Sequence, residues 1–489
     1  MNLFLTSARR STWIAVAILA QTLLSACGGG GSGVAPPGVP LGVTVNPGDG
    51  ALSLGWKPPA SDGGAAIQAY SVELTPAVPP ADVTVTGTVA LVRNLTNGIN
   101  YQVSVRASNA AGSGPASTPV SVQPAAAVNN GYTPITIQGD NSPSGIYDPS
   151  ILRASNGVLW LSYSSVDYHN NGNGQLVQDV GTRIARSDDD GNTFSHVATI
   201  AIPTAATVTD TDPNLSACGA PACTGRWIYE TSWLIEDSTE PDPNRRFKLF
   251  AHKYFLYPPG TTNRTLYHLG VIVMWTASAP DGLWSVETPL IGWNLTPPEL
   301  TPLHVVNAAM HPALGDCLLV AEGGATVRAG VIDFVLACPF IDATAGNAVR
   351  QKIVRLRSTD HLNTVDYVTT LLEADDAAPY GGAGHFSAPA LIARDDNAPL
   401  LLVTPVISDV YAGSLVFPFT DDGSAGVFRT GGLPETILFA PVAAAGHIGG
   451  ASSYDGSLGT QGILQSDATL GATLLDTRFD IVATHVLLR

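Results

Sequence analysis

The chain has 489 residues, with 40 acidic against 23 basic side chains and a formal charge of -17. That charge opposes the phosphate neutralisation on which nucleic-acid binding depends, so DNA and RNA are excluded as partners. Fifty Gly and 36 Pro with only 13% charged residues, and short Val-, Ile-, Thr- and Leu-rich runs between turn residues, predict an all-β protein of two or three domains.

The first 26 residues read as an export signal, with Arg9 and Arg10 ahead of an apolar stretch over 13–24 that is too short to span a bilayer comfortably. Leu24-Ser25-Ala26-Cys27 resembles the lipobox of bacterial lipoproteins. The resemblance implies cleavage before Cys27, acylation of that residue and a chain exported to the cell envelope and held to a membrane by its lipid, with sorting to an outer membrane left open. Residues 27–39, rich in Gly and Pro, have too few large apolar side chains to fold and form a flexible linker. Four further cysteines in an oxidising compartment predict two disulfides. Cys218 and Cys223 flank a short loop, Cys317 and Cys338 bracket a predicted hairpin, and none has the paired spacing of a zinc site.

Residues 40–123 contain about seven short alternating segments, the pattern of a small β-sandwich. Leu52-Ser53-Leu54-Gly55-Trp56, Ile67-Gln68-Ala69-Tyr70-Ser71-Val72 and Leu95-Thr96-Asn97-Gly98-Ile99-Asn100-Tyr101 resemble the second strand, third strand and tyrosine corner of a fibronectin type III domain. The resemblance implies that Trp56 fills the core and that Tyr101 bonds to backbone, both structural roles.

Residues 131–489 repeat weakly. Tyr147-Asp148-Pro149-Ser150-Ile151, Tyr229-Glu230-Thr231-Ser232-Trp233, Met310-His311-Pro312-Ala313-Leu314, Gly384-His385-Phe386-Ser387-Ala388 and Gly446-His447-Ile448-Gly449-Gly450 each precede a turn signal and a second apolar run, at 158–163, 247–255, 331–337, 400–406 and 458–465. Five such units predict a five-bladed β-propeller, with one large sandwich as the competing arrangement. Ser187-Asp188-Asp189-Asp190-Gly191-Asn192-Thr193-Phe194 resembles the Asp-box turn of sialidase-like propellers, and Ser278-Ala279-Pro280-Asp281-Gly282-Leu283-Trp284 a corresponding turn of five-bladed glycoside hydrolases. Both are scaffold features.

First strands of blades converge on the propeller axis, so Asp148, Glu230, His311, His385 and His447 are expected at one channel mouth, where carboxylates and imidazoles divide acid and base roles or hold a divalent metal. Each also has a structural reading: an Asx turn for Asp148, a buried carboxylate satisfied by Arg226 or backbone for Glu230, and hydrogen-bonded channel residues for the three His. Glu236, Asp237 and Glu299 read as surface-loop residues held in reserve. Of the clustered Trp227, Trp233, Trp275, Trp284 and Trp293, Trp233 is the candidate sugar platform.

Asp148-Pro149, the Pro-x-Gly-x-Trp turn and the blade count together resemble the five-bladed glycoside hydrolases, the arabinanase, xylosidase and fructosidase superfamily. The resemblance implies a blade-one Asp as base or nucleophile (Asp148), a blade-two acid that tunes and orients (Glu230), and a blade-three Glu as general acid. His311 stands in that third place, a departure from the pattern, with His385, His447 and Trp233 left for substrate or metal. Two readings follow: a monomeric surface lipoprotein that binds and cleaves a polysaccharide or cell-surface glycan, or a propeller that grips a glycan or partner without catalysis.

The anchor is directly testable. Cys27→Ser should block acylation and move the protein from the membrane fraction to the soluble fraction; unchanged membrane retention in fractionated cells would refute it.

Overall fold

The computed structural model describes residues 34–48, 51–96, 98–124, 132–208, 222–257, 264–292, 306–307, 311–346, 348–380, 385–392, 399–407, 410–420, 426–430, 433–434, 436, 438–440, 442, 446–450, 452–455 and 462–485. The expected export signal at 1–26, Cys27, Cys218, Trp293 and Glu299 lie outside them.

The N-terminal sandwich has two sheets. One runs in the order Leu41–Gly48, Ala51–Lys57, Val89–Val92, Val83–Thr86; the other pairs Tyr101–Asn109 with Ala69–Thr75, Gly112–Ser113 and Val120–Val122. Alternation along the strands buries Leu52, Leu54, Trp56, Val103 and Val105 in one core. The Trp56 ring lies 5.4 Å from that of Tyr70, and the Thr96 amide donates to the Tyr101 hydroxyl at 3.2 Å. Both aromatic residues are therefore structural, as the sequence implies.

The C-terminal part is a five-bladed propeller. From the axis outward, blade one comprises Gly145–Arg153, Leu159–Asn170, Leu176–Ser187 and Phe194–Ala201; blade two Cys223–Glu236, Phe247–Tyr257, Arg264–Ala277 and Thr288–Gly292; blade three Ala321–Arg328, Val331–Asp342, Ala348–Ser358 and Asp366–Leu372; blade four Phe386–Ile392, Leu400–Ile407, Ser414–Pro418 and Leu438–Ala440. Blade five has a short inner edge, His447–Ile448 and Ser452–Ser453, then Leu464–Thr469 and Arg478–Ala483. Its outermost strand, Thr133–Pro134, comes from the other end of the domain, so the two ends of the chain close the ring together.

The second strands of blades three and four are almost continuously apolar because both of their faces are covered. In Val331–Asp342, Phe334, Leu336 and Cys338 pack with Trp233, Phe250 and Met274 of blade two, while Val335 and Ala337 pack with Phe386, Leu401 and Phe417 of blade four. Similar cores fill the spaces between blades one and two, four and five, and five and one. At the seam Gly145, with φ +111°, carries the parallel bridge to Phe479, and a Cβ there would lie 1.9 Å from the Phe479 carbonyl oxygen. No other residue fits that approach.

Blade three departs from the sequence reading. Its inner strand begins at Ala321, and the His311-Pro312-Ala313-Leu314 segment is a run of turns instead. The apolar pattern there is real burial, since Leu314 and Cys317 enter the core under blade three, and the predicted Cys317–Cys338 disulfide ties the segment down. Cys223 is also disulfide-bonded.

The Asp-box at Ser187 forms as expected: the Ser187 hydroxyl donates to Asp189 Oδ1 at 2.8 Å and accepts from the Gly191 amide, and Asp189 accepts from both the amide and hydroxyl of Thr193. An identical network joins Ser358, Asp360, Leu362 and Thr364 in blade three. Leu362 adopts φ +70° where Gly191 has φ +85°, and its side chain is fully buried between blades two and three, which offsets the backbone strain.

His361 of this second turn reaches into blade two, its Nδ1 2.7 Å from Asp237 Oδ2. Asp237 is thus no surface-loop residue: it and Lys248 are both fully buried. Lys248 Nζ donates to Asp237 Oδ2 at 3.3 Å, Glu240 Oε2 at 3.0 Å and the Arg245 carbonyl at 2.8 Å. Removing the cation alone leaves two carboxylates without their counter-charge in low dielectric, so Lys248→Met should destabilise the propeller by about 3–5 kcal/mol, read from the midpoint of chemical denaturation.

Candidate functional site

Four of the five inner strands break register at equivalent points, between Tyr147 and Ser150, Glu230 and Trp233, Ala321 and Gly323, and Ser387 and Ala390. Each break is a bulge containing a left-handed non-glycine residue: Asp148 (φ +52°), Thr231 (+48°), Glu322 (+31°) and Ala388 (+46°). Such backbone costs of order 1–3 kcal/mol per residue and persists where surrounding contacts fix it.

Here the contacts run from blade to blade. The Asp148 amide donates to Ser466 Oγ of blade five at 2.8 Å. The Thr231 amide of blade two donates to Asp148 Oδ2 at 3.2 Å, and that oxygen also accepts from Ser164 Oγ at 2.8 Å. Further round the ring, Glu322 Oε2 accepts from Ser387 Oγ at 2.5 Å and the Ala388 amide at 2.7 Å, both of blade four, while Tyr411 donates to Oε1 at 3.3 Å. Amides freed from the strand ladders thus become donors to a neighbouring blade's side-chain oxygen, a hydroxyl for Asp148 and a carboxylate for Thr231 and Ala388.

The result is one cluster of carboxyl groups on three successive blades: Asp148, Glu230 and Glu322. Burial pushes Asp148 up to about 6, opposed by the Ser164 hydrogen bond and reinforced by the charge of Glu322. Burial pushes Glu230 up to about 8, with Asp148 and Glu322 adding to the shift and a Tyr254 hydrogen bond opposing it. The charge of Glu322, then burial, holds the Tyr411 hydroxyl well above its usual range, and burial does the same to Tyr147 and Tyr254.

Two of the five residues expected at the mouth, Asp148 and Glu230, therefore come together. His311 does not join them; it caps its own turn, accepting from the Ala313 amide at 3.2 Å, with its ring 5.5 Å from that of Tyr367. The carboxyl group that blade three contributes to the cluster is instead that of Glu322, which the sequence reading missed. Its signal lies in Ala321-Glu322-Gly323-Gly324: Cβ atoms on the two glycines would fall 2.6 Å from the Val335 carbonyl oxygen and 2.7 Å from Ala390 Cα, marking an inner strand packed tightly between its neighbours.

His385 and His447 sit at the openings of the inner strands of blades four and five, and His447 Nδ1 lies 2.7 Å from Asp467 Oδ2. Among the described residues, the groups of three or more metal-ligating side chains with donor atoms within 4.8 Å of one another are Asp316-Cys317-Cys338 and Asp237-Glu240-His361. The first contains the disulfide and the second already holds the Lys248 ammonium. The expected metal ring of His311, His385 and His447 thus has no such grouping. Trp233, expected as a sugar platform, is 1% exposed and stacks on Phe250 between blades two and three. Arg226 is not the counter-ion of Glu230 either, being paired with Asp179. Glu236 is tied to Arg246 and Ser155.

Comparison with known proteins bears on both parts of the chain. Residues 35–123 match the family model for the Fibronectin type III domain. This fibronectin domain is the N-terminal sandwich described above. Solved structures similar to the chain include a family 117 glycoside hydrolase of the marine bacterium Zobellia galactanivorans (12% identity, 72% of this chain and 88% of that one, TM-score 0.39) and a thermostable family-43 glycoside hydrolase (11%, 71% and 89%, 0.38). An exo-1,5-alpha-L-arabinanase from a bovine ruminal metagenomic library is similar as well (13%, 71% and 94%, 0.35). Comparison with curated proteins returned no match.

A carboxyl group whose pKa is raised by folding holds its proton more tightly in the folded state, so the protein loses stability as pH rises from about 4 through 6. Asp148→Asn removes that loss while keeping an acceptor for Ser164 and Thr231. The variant should melt above the parent at pH 7, by up to about 3 kcal/mol of added stability, and the gap should close as pH is lowered to 4 in thermal denaturation curves.

Proposed function

We propose that the propeller hydrolyses glycosidic bonds at the Asp148-Glu230-Glu322 cluster. The observation that carries this reading is the convergence of three carboxyl groups from three successive inner strands, where burial and neighbouring charge raise the titration of Asp148 and Glu230. Glycoside hydrolysis needs one carboxylate to act on the anomeric carbon, directly or through water, and one carboxylic acid to protonate the departing oxygen.

Asp148, whose Oδ2 is fixed by Ser164 and Thr231, supplies the carboxylate. Glu230, held protonated by burial and by the charges of its two carboxylate neighbours, supplies the proton, and Glu322, whose Oε2 receives two hydrogen bonds, is fixed as one of those neighbours. Glu230 remains protonated at neutral pH and spares the site a third negative charge. Buried tyrosine hydroxyls around the cluster provide polar contacts for sugar hydroxyls. The protein would work as a lipid-anchored envelope component, with the fibronectin domain between anchor and propeller and a polysaccharide or cell-surface glycan as its partner.

Screening the full chain against chromogenic glycosides and polysaccharides tests the reading. Asp148→Asn and Glu230→Gln should each lower kcat by about 10³ with the fold retained by circular dichroism. Turnover should rise as Asp148 ionises near pH 6 and fall as Glu230 loses its proton near pH 8. Glycan binding that persists in the wild type without any turnover would instead leave a non-catalytic binding propeller.

A further inference from the structure

Trp233 is buried between blades, yet other aromatic rings stand beside the carboxyl cluster. Tyr147 precedes Asp148 in blade one, and Tyr168 follows Ser164, the residue that holds Asp148 Oδ2, on the same strand. Phe479 comes from blade five. The rings of Tyr147 and Tyr168 each meet the Phe479 ring edge-on at 5.2 Å, with interplanar angles of 83° and 69°. All three residues stay partly exposed, whereas Val166, Val180 and Ile228, packed with them, are buried. The Tyr147 hydroxyl oxygen is itself buried, so whatever of that side chain meets solvent is ring carbon.

One short segment holds the three rings in place. Ser144 Oγ accepts from the Tyr168 amide at 2.9 Å, the Ser144 carbonyl accepts from the Phe479 amide at 3.0 Å, and Gly145 next to it bridges Phe479. Rings from two blades are thereby fixed against one another before any ligand arrives.

We propose that Tyr147, Tyr168 and Phe479 form a platform beside Asp148 for the apolar C–H face of an uncharged sugar residue. A sugar ring offers C–H groups on its faces and hydroxyls around its edge, which matches aromatic carbon next to carboxyl groups. A partly exposed aromatic group bordering a polar cluster marks a ligand site. The charge of that ligand follows from the same neighbours. Asp148 and Glu322 repel a carboxylate or sulfate brought close to them, and the blade-two cations Arg226 and Lys253 are already paired with Asp179 and Glu287. Uronate and sulfated sugars are therefore disfavoured.

The inference rests on the site proposed above, and its test reads binding rather than turnover. The full chain carrying Glu230→Gln, which keeps the charges of Asp148 and Glu322, is run through native gels cast with neutral polysaccharides (arabinan, xylan, galactan, inulin) or anionic ones (polygalacturonate, alginate). At least one neutral polysaccharide should retard it and the anionic ones should not. Adding Tyr168→Ala or Phe479→Ala should weaken that affinity about tenfold, whereas Tyr168→Phe, which keeps the ring, should bind as the parent does; melting curves check that each variant folds. No retardation by any neutral polysaccharide, tighter binding to an anionic one, unchanged affinity in both alanine variants, or an equal loss in Tyr168→Phe would overturn the proposal. Neutral-glycan binding by a wild type that cleaves nothing sinks the hydrolytic reading and leaves the platform standing; cleavage indifferent to both alanine substitutions does the reverse.

Discussion

The left-handed bulge repeated in the inner strands is the constraint on which the site depends. A regular strand would spend its amides on the ladder and send successive side chains to alternate faces. At the bulge one residue leaves the ladder, its amide turns toward the adjacent blade, and its side chain is re-aimed. Because the amides of Asp148, Thr231 and Ala388 are each held by a neighbouring blade, the strain in one blade is stabilised by the next. Backbone strain, carboxylate orientation and blade order are therefore a single coupled feature, and a shift of one inner strand would disturb the hydrogen bonds of the next.

Such a coupled axis requires rigid spacing between blades, and the inter-blade cores supply it. The second strand of blade three, for one, packs apolar side chains against both neighbouring blades, so its position is fixed from two sides. Polar links lie between the same layers. The Asp237-Lys248-Glu240 cluster joins blade two to the blade-three Asp-box through His361. Burying that much charge is tolerable because every member has a counter-charge or a hydrogen bond, which makes the contact specific in geometry even where its net contribution to stability is small.

Much of this architecture was legible in the sequence. Trp56 and Tyr101 were readable because a sandwich core and its corner each require one residue type at a fixed strand position. Asp148 and Glu230 were readable because polar residues interrupting apolar inner strands stand out. Glu322 was not, because the turn segment at 311–320 carries its own buried apolar residues, Leu314, Leu319 and Val320, and imitates a strand start ten residues early. The second Asp-box escaped for a related reason: Leu362 occupies the position that a glycine marks in the first, trading backbone strain for packing. Trp233 was misplaced because an aromatic beside a candidate site looks the same in sequence whether it faces a cleft or a neighbouring blade.

The charge of the site follows from what surrounds it. Burial acts most strongly on Asp148 and Glu230, reinforced by the other carboxylates and opposed by hydrogen bonds from Ser164 and Tyr254, whereas the carboxylate of Asp237 has Lys248 and His361 and is held below its usual range. Two buried acidic clusters in one propeller thus meet the same electrostatic problem differently. At the blade-two and blade-three contact the charge is fixed by a permanent cation, and the structure there is locked. At the axis the charge is relieved by proton uptake, which is reversible near neutral pH and leaves the carboxyl groups free to exchange protons with whatever enters. The first arrangement suits a joint; the second suits acid–base chemistry.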